Sequence, residues 1–283
     1  MWISLNAEYS DPMNFRIYHP AATLAPYVKH YYHLQNANDG LINLPQNLFS
    51  LGDLYMVFLQ EGEVSFQPSQ HAAFTLPAAS VIGHFTCHHQ IRVKGPVKMT
   101  VVQLNAYGCY KLAGLDMSAF NNYYRDLKKH NDTSWQDLAH NLSAADPMGL
   151  DIVMNTAFTS MLEAQDHPLK QVDEVADYMV RHQGYINMDR LTRKFKVSRP
   201  TLERKFMEVI GITPQLYARM LRFRDAMRNM QKMNVEQWQS FITTNDYYNH
   251  AQFLQDFQFF KGDVPVTEHV NVAQMSVRPM AVA

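Results

Sequence analysis

The chain has 283 residues, which is enough for about two domains and for at least one full hydrophobic core. Apolar residues make up 47% of the chain and charged residues 18%, a globular composition that excludes a disordered protein. The formal net charge is −1, so the chain is neither a globally basic nucleic-acid binder nor an acidic tail protein.

The cysteine content and the hydropathy favour a cytoplasmic location. Cys87 and Cys109 are too few for a disulfide framework, and this usage is typical of a reducing compartment. No apolar run approaches the roughly 18 residues that a membrane span requires. The first residues lack the basic start and apolar core of a signal peptide. We therefore expect a cytoplasmic protein that has no contact with a membrane.

The first 110 residues predict a β-rich domain. An apolar run at residues 54–59 is followed by the turn signal Glu61-Gly62-Glu63. Further short strands, separated by Gly and Pro, are predicted at residues 64–66, 74–76, 80–82, 91–93 and 99–104. Short strands at this spacing are typical of a β-sandwich or a barrel-like fold, so residues 1–125 are assigned to a β domain.

From about residue 111 the apolar period becomes helical and strand-like runs disappear. Capping side chains predict helix starts at residues 132–134 and 143–147. Pro168 ends this region, because proline keeps the preceding residue out of a helix. Residues 126–167 are therefore predicted to be a helical connector. Most of it lies in an acidic stretch, since residues 131–189 carry ten acidic and two basic side chains.

Two short helices joined by a tight turn are predicted at residues 187–210. Asn187 caps the first, at residues 188–195, and Ser198 and Pro200 start the second after a turn at residues 196–198. The second helix buries Leu202, Phe206 and either Val209 or Ile210. Its outward side chains are Arg199, Thr201, Glu203, Arg204 and Lys205. A further helix, with an apolar face of Val172, Val175, Ala176 and Met179, precedes the pair and stops near Gly184. This arrangement is typical of a helix-turn-helix, whose second helix enters the major groove of DNA.

The charges of the C-terminal half are strongly segregated. Residues 190–232 carry 12 basic and three acidic side chains, whereas residues 233–283 carry two basic and five acidic ones. A net charge of +9 suits a polyanion, although a charge run is also common on a solvated helix face. The helix-turn-helix pattern around these charges favours nucleic acid.

Ten residues at fixed spacings extend the helix-turn-helix pattern from Ser198 to Ala226. The positions are Ser198, Leu202, Arg204, Phe206, Gly211, Thr213, Pro214, Tyr217, Arg222 and Ala226. They fit S-x-x-x-L-x-R-x-F, four residues, G-x-S/T-P, x-x-Y, four residues, R, three residues, A. In this the chain resembles the AraC-type transcriptional regulators, over about residues 170–270.

The resemblance implies a second, similar module after a long connecting helix. Residues 214–232 would form that helix and residues 242–265 the module. Phe253, Phe257 and Gly262 match the family, whereas Asp246 stands where the family usually has Gly. His250, Gln252 and Gln255 would face DNA there, with Gln255 at a place where Arg is common.

The N-terminal half also resembles the sensor domains of AraC-type regulators, at residues 19–20, 24–28, 44–45 and 81–84. The resemblance implies a cupin-like β fold that binds a small-molecule effector or forms a homodimer, in a protein that contacts RNA polymerase. The predicted fold class is thus α+β: an N-terminal cupin-like β domain, then an all-α domain with two helix-turn-helix modules joined by a long helix. The predicted DNA-binding domain covers residues 168–270, and residues 271–283 form a tail that we expect to be disordered.

Several candidate DNA contacts have two interpretations. Arg204 can bond bidentately to guanine, or it can contact phosphate only. Glu203 can accept from cytosine or pair with a nearby Lys or Arg, and Pro200 matches a base-facing position of the family. Arg193, Lys194 and Lys196 are expected on backbone phosphate.

Metal and enzyme chemistry find little support. His84, Cys87, His88 and His89 are residue types that bind zinc, but adjacent residues on a strand point to opposite faces and cannot easily converge. The sequence lacks the G-x-S-x-G, H-E-x-x-H, P-loop and G-x-G-x-x-G motifs. We expect no cofactor and no enzyme activity.

The sequence therefore predicts a transcriptional regulator that binds double-stranded DNA sequence-specifically and carries a sensor half. The alternative is a ligand-binding cupin-like protein whose helical tail binds another protein and has lost DNA binding. The basic cluster at residues 190–232 favours the regulator.

Overall fold

The computed structural model describes residues 14–44, 48–49, 51–129, 133–164, 167–234, 236–237, 240–241 and 249–262. An antiparallel sheet forms the N-terminal part and helices follow it. The predicted α+β class is confirmed. The predicted tail at 271–283, together with residues 242–248 and 263–265 of the predicted second module, lies outside the described residues.

The strands form one antiparallel sheet in the order β1-β2-β6-β3-β5-β7, with β4 paired to β3. Their bounds are Asn14–Tyr18, Val28–Ile42, Leu54–Pro68, Phe74–Thr75, Ala79–Ile82, His89–Leu104 and Tyr124–Asp126 for β1 to β7. Side chains alternate between two buried layers, as the period of a strand requires. Leu54, Met56 and Phe58 face the helices, whereas Tyr55 and Val57 face a second cluster rich in aromatic rings.

Two predicted strand breaks are wrong. β3 continues through Glu61-Gly62-Glu63, and β6 continues through Gly95-Pro96, so each pair of predicted strands is a single long one. The pairing of β3 with β6 is irregular at Leu59 to Glu63, and Gly62 has a φ of +90° with the backbone of β6 close by. The residues that looked like turns therefore form bulges within a ladder.

Three strands have no counterpart in the sequence prediction. β1 and β2 are rich in Tyr, His and Asn, so their apolar alternation is weak. β7 falls in the part predicted to be free of strands, and it pairs with β5. Its three residues are too few to show a period.

Eight α-helices occur in the described residues. Their bounds are Gly108–Ala113, Ser134–Ala144, Leu150–Ala164, Val172–Arg181, Met188–Lys194, Arg199–Val209, Pro214–Lys232 and His250–Lys261 for α1 to α8. The predicted start of α3 at residues 143–147 is wrong, because Ser143 lies inside α2 and α3 begins at Leu150. A long helix at the predicted residues 214–232 is confirmed as α7, and its role as the connection between two modules stays a prediction.

One buried apolar cluster runs through both parts of the molecule, from Leu24 near the sheet to Phe260 in α8. Polar contacts cross the same boundary. Tyr107 donates to Asp177 at 3.1 Å, and Arg224 of α7 donates to Asp53 at 3.0 Å. The helical half is therefore packed against the sheet by apolar and polar contacts together.

Candidate nucleic-acid interface

Side chains cap both helices of the α5–turn–α6 pair. The Asn187 side chain accepts from two backbone N–H groups in the first turn of α5. Lys196 has a φ of +50°, in the left-handed region, and turns the chain between the helices. The Ser198 hydroxyl accepts from the backbone N–H of Thr201 at 3.4 Å, and Pro200 lies in the first turn of α6. The predicted caps and turn are confirmed.

Helix α6 has one buried stripe and one exposed face. Leu202, Phe206 and Val209 are at most 2% exposed and pack into the core. Arg204 lies two positions from Leu202 and from Phe206, about 200° around the helix from each. It is exposed, as is Pro200 one turn earlier, and it forms no hydrogen bond or ion pair with any other described residue. Arg204 is thus directed away from the protein, as a base-reading side chain requires.

On one flank of α6, Glu203 is held by two donors. Its Oε1 atom accepts from Nε of Arg199 at 3.2 Å and from Nε2 of Gln215 at 2.7 Å. The hydrogen bond from Gln215, and then the one from Arg199, lower the pKa of the Glu203 carboxyl. Of the two interpretations of Glu203, pairing with a nearby Arg is the one that the structure contains.

On the other flank, Lys205 is bound to the chain that leads into α4. Its ammonium donates to the backbone carbonyl of Lys170 at 3.0 Å, and Lys170 pairs with Glu208 at 2.5 Å. Glu208 also accepts from the hydroxyl of Tyr110, in the N-terminal half, at 3.3 Å. Lys205 therefore has an internal partner, whereas Arg204 beside it has none among the described residues.

The predicted phosphate contacts of α5 lie at the protein surface. Arg193 and Lys194 are both exposed in the last turn of the helix. Nε of Arg193 donates to the carbonyl of Asp189 at 3.1 Å, and the Lys194 ammonium lies 5.1 Å from the centre of the Tyr178 ring. These contacts leave the outer N–H groups of Arg193 and the ammonium of Lys194 accessible to a phosphate.

Three cations of α7 are directed inward, which charge counting did not anticipate. Arg219 pairs with Asp256 of α8, Arg222 donates to the carbonyl of Gly184 at 2.9 Å, and Arg224 donates to Asp53. Their partners are distant in the sequence, so no local pattern indicates them. The basic cluster at residues 190–232 therefore holds fewer cations for a polyanion than its composition suggests.

Helix α8 is bound to α7 by aromatic packing, with Phe253, Phe257 and Phe260 around Phe223. At its start, Asn249 and Gln252 form a capping box, in which the Gln252 side chain accepts from the Asn249 backbone at 3.2 Å. Gln252 and Gln255 are exposed. The side chain of His250 lies outside the described residues.

The histidine cluster of the N-terminal half is dispersed. His84 is fully buried, His89 stacks on Phe85 with ring centres 3.9 Å apart, and His88 lies against Gly262. Within the described ranges, no three His, Cys, Asp or Glu side chains are grouped so that they could hold a metal ion.

A family model described as a domain of unknown function (DUF6597) matches residues 16–126. No curated protein matches the sequence. The fold is similar to ToxT from Vibrio cholerae, with a TM-score of 0.42, 10% identity, and coverage of 89% of this chain and 96% of that one. For a ToxT structure bound to (E)-4-(8-methylnaphthalen-1-yl)but-3-enoic acid, the TM-score is 0.41 and the identity 11%, with coverage of 89% of this chain and 96% of that one. For the AraC-like transcriptional activator CuxR, the TM-score is 0.31 and the identity 12%, with coverage of 79% of this chain and 90% of that one.

In the part of the chain that the structure covers, no helix is long and apolar enough to cross a membrane.

Proposed function

We propose that the chain is a sequence-specific transcriptional regulator of the AraC type, in which α6 enters the major groove of DNA. The observation that carries this proposal is the capped α5–turn–α6 pair, whose second helix exposes Arg204 opposite its buried stripe. N-terminal residues of a recognition helix contact base edges in such motifs. Arg204 would form a bidentate contact with guanine.

The remaining contacts surround Arg204. Arg199, Pro200, Thr201, Glu203 and Lys205 would lie at the groove edge of α6, and Arg193, Lys194 and Lys196 would contact backbone phosphate. His250, Gln252 and Gln255 of α8 would form a second, weaker contact. Neutral amides release few counterions, so α8 would contribute little to affinity.

The β domain would bind a small-molecule effector or form a homodimer, and the regulator would contact RNA polymerase. These roles rest on the resemblance of the N-terminal half to sensor domains. The proposed domain division is 1–125, 126–167 and 168–270.

A second candidate function has a specific observation in its favour. Lys205 and Glu203 have internal partners, and Arg224 attaches the helical half to Asp53 of the sheet. In a ligand-binding cupin-like protein whose helical half binds another protein, and not DNA, these charged groups would have internal partners in place of DNA.

Fluorescence anisotropy with the full chain separates the two candidates. The probes are duplexes from the region upstream of its own gene and a shuffled duplex of equal composition. A specific regulator binds one upstream duplex about 10³-fold or more tightly than the shuffled one. Equal binding to all duplexes, or no binding at low salt, would contradict the proposal and favour the alternative.

A further inference from the structure

Arg199 and Glu203 lie one turn apart on α6, on the flank that faces the start of α7. The Glu203 carboxylate oxygen Oε1 accepts from Nε of Arg199 at 3.2 Å. The two terminal NH₂ groups of Arg199 form no hydrogen bond with the described residues, and its side chain is 55% exposed. The guanidinium is thus held at Nε and is open at its outer fork.

Gln215 is the residue that fixes Glu203 in this position. It lies in the first turn of α7, just after the Thr213 cap, and its Nε2 donates to the same Oε1 atom at 2.7 Å. The Oε1 atom of Gln215 is buried and has no hydrogen-bond partner in the described ranges. A buried amide with an unsatisfied oxygen is unfavourable where an apolar side chain would fit. Among the described residues, the hydrogen bond that this amide donates to Glu203 is the one interaction that offsets the penalty.

The orientation of the guanidinium matters because a free arginine side chain has many rotamers. An arginine held at Nε presents its two NH₂ groups as a preorganised fork, which matches the O6 and N7 acceptors of guanine. Arg199 is the first residue of α6, and the N-terminal residues of a recognition helix are those that contact base edges.

We propose that Gln215, acting through Glu203, positions Arg199 as a second guanine-reading residue, separate from Arg204 and near the start of α6. The proposal rests on the proposed DNA-binding function. Gln215 and Glu203 are positioning residues, and Arg199 makes the contact. Glu203 then accepts from Arg199 and Gln215, and cytosine is not its partner.

The test is a selection of randomised duplexes by the full chain, followed by affinity measurements on the selected site with single base changes. The variants are Arg199→Lys, Gln215→Leu and the double variant. Arg190→Lys and Gln258→Leu are the matched controls, since both residues are exposed and lie outside this relay.

The wild type is expected to require guanine at two positions. Arg199→Lys should lose about 5- to 150-fold of discrimination at one of them, with an unchanged salt slope because the charge remains. Gln215→Leu should weaken preference at that same position and leave the Arg204 position intact. The double variant should be no worse than Arg199→Lys, because both changes break one relay.

Specific binding that keeps both preferences in Arg199→Lys overturns the inference and leaves the proposed function standing. A Gln215→Leu effect that adds fully to that of Arg199→Lys also overturns it, since Gln215 then acts elsewhere. If Gln215→Leu does not fold by circular dichroism, Glu203→Leu replaces it and removes the same acceptor. A wild-type chain without any sequence preference overturns the proposed function and this inference with it.

Discussion

Asp53 is a nearly buried carboxylate that joins three elements of the fold. Its oxygens accept from Lys29 of β2 at 2.6 Å, from Gln103 of β6 at 2.7 Å and from Arg224 of α7 at 3.0 Å. Burial alone would raise the pKa of this carboxyl, but Lys29 and Arg224 bring the pKa below its usual range. Asp53 is therefore charged at neutral pH, and Arg224 attaches the helical half to it.

Removal of the Arg224 guanidinium should destabilise the fold. Arg224→Met keeps the aliphatic stem but leaves a buried charge with one donor fewer, so we expect a loss of about 1–3 kcal/mol in the free energy of unfolding. Urea titration of the full chain measures it. The control Arg228→Met, at an exposed position of the same helix, should stay within about 0.5 kcal/mol of the wild type. Equal stabilities of the two variants would show that the contact with Asp53 does not stabilise the fold.

His84 makes stability depend on pH. Burial lowers the pKa of its imidazole to about 4; Asp53 opposes this, whereas Lys29 and Arg224 add to it. Tyr217 of α7 lies beside the ring, and neither ring nitrogen has a hydrogen-bond partner within the described part of the chain. The ordinary pKa is 6.5, so below that pH the unfolded chain binds more protons than the folded one. The contribution of the buried, neutral His84 to stability is therefore fully present above about pH 6.5 and is lost as the pH drops toward 4.

A variant without this imidazole should be less sensitive to acid. The pKa difference corresponds to a loss of about 3 kcal/mol in the free energy of unfolding between pH 6.5 and pH 4. His84→Leu should remove this part of the loss. Urea midpoints of the full chain at pH 7, 6 and 5 measure it. The exposed His71→Leu is the control, and it should keep the wild-type dependence. An identical decline in His84→Leu and the wild type would contradict the role of His84.

At the scale of elements, local signals predicted α4 to α6 well, and the family resemblance predicted α7. The caps at Asn187 and Ser198, and Pro200 after the second of them, depend only on neighbouring residues, and the structure contains all three. The candidate site could therefore be located from sequence. Its internal partners could not, because Lys170 and Gln215 reach α6 only through the tertiary fold.

The sheet was harder to predict for a related reason. Gly62 and Gly95 resemble turn residues in sequence, yet each lies in a long strand whose ladder is set by its partner. The length of β3 and β6 follows from pairing between residues that are far apart in the chain. Propensity at one position does not contain that information.

The salt dependence of DNA binding should arise mainly from α5 and α6. Replacing Arg193, Arg199, Arg204 and Lys205 together by Gln should flatten the slope of log K against log salt by about 0.9 for each phosphate that the variant no longer neutralises. Anisotropy between low and physiological salt measures the slope. The cations of α7 that point inward should not contribute. An unchanged slope in the fourfold variant would place the phosphate contacts elsewhere.

Helix α8 provides the contrast to this prediction. Gln252→Ala with Gln255→Ala removes both exposed amides of α8 without a change in charge. Circular dichroism checks that the variant is folded, because the capping box is lost. If α8 contributes little to affinity, binding should change by no more than a few-fold. Complete loss of binding would show that α8 contributes strongly to DNA binding, and that its low positive charge does not indicate the size of this contribution.

At the scale of the whole molecule, the two halves share one apolar core. The face of α6 that carries Arg204 lies on the outer surface of the protein. The other end of α6 contacts the N-terminal half, because Tyr110 donates to Glu208 and Asn121 donates to the backbone carbonyl of Gly211. Helices α2 and α3, which lie in the acidic stretch, pack against each other, and α2 also contacts β3 and β5. In the proposed regulator, the negative charge of these two helices would help to keep them away from DNA.

The most direct measurement of the DNA-reading role of α6 is the base preference of the full chain and of Arg204→Ala on a selected duplex. We predict that Arg204→Ala loses discrimination at one position by about 1–3 kcal/mol and keeps it at the others. Circular dichroism checks that the variant is folded. If the variant instead loses affinity equally for every sequence, Arg204 contacts only phosphate, and the claim that α6 reads bases through it is contradicted.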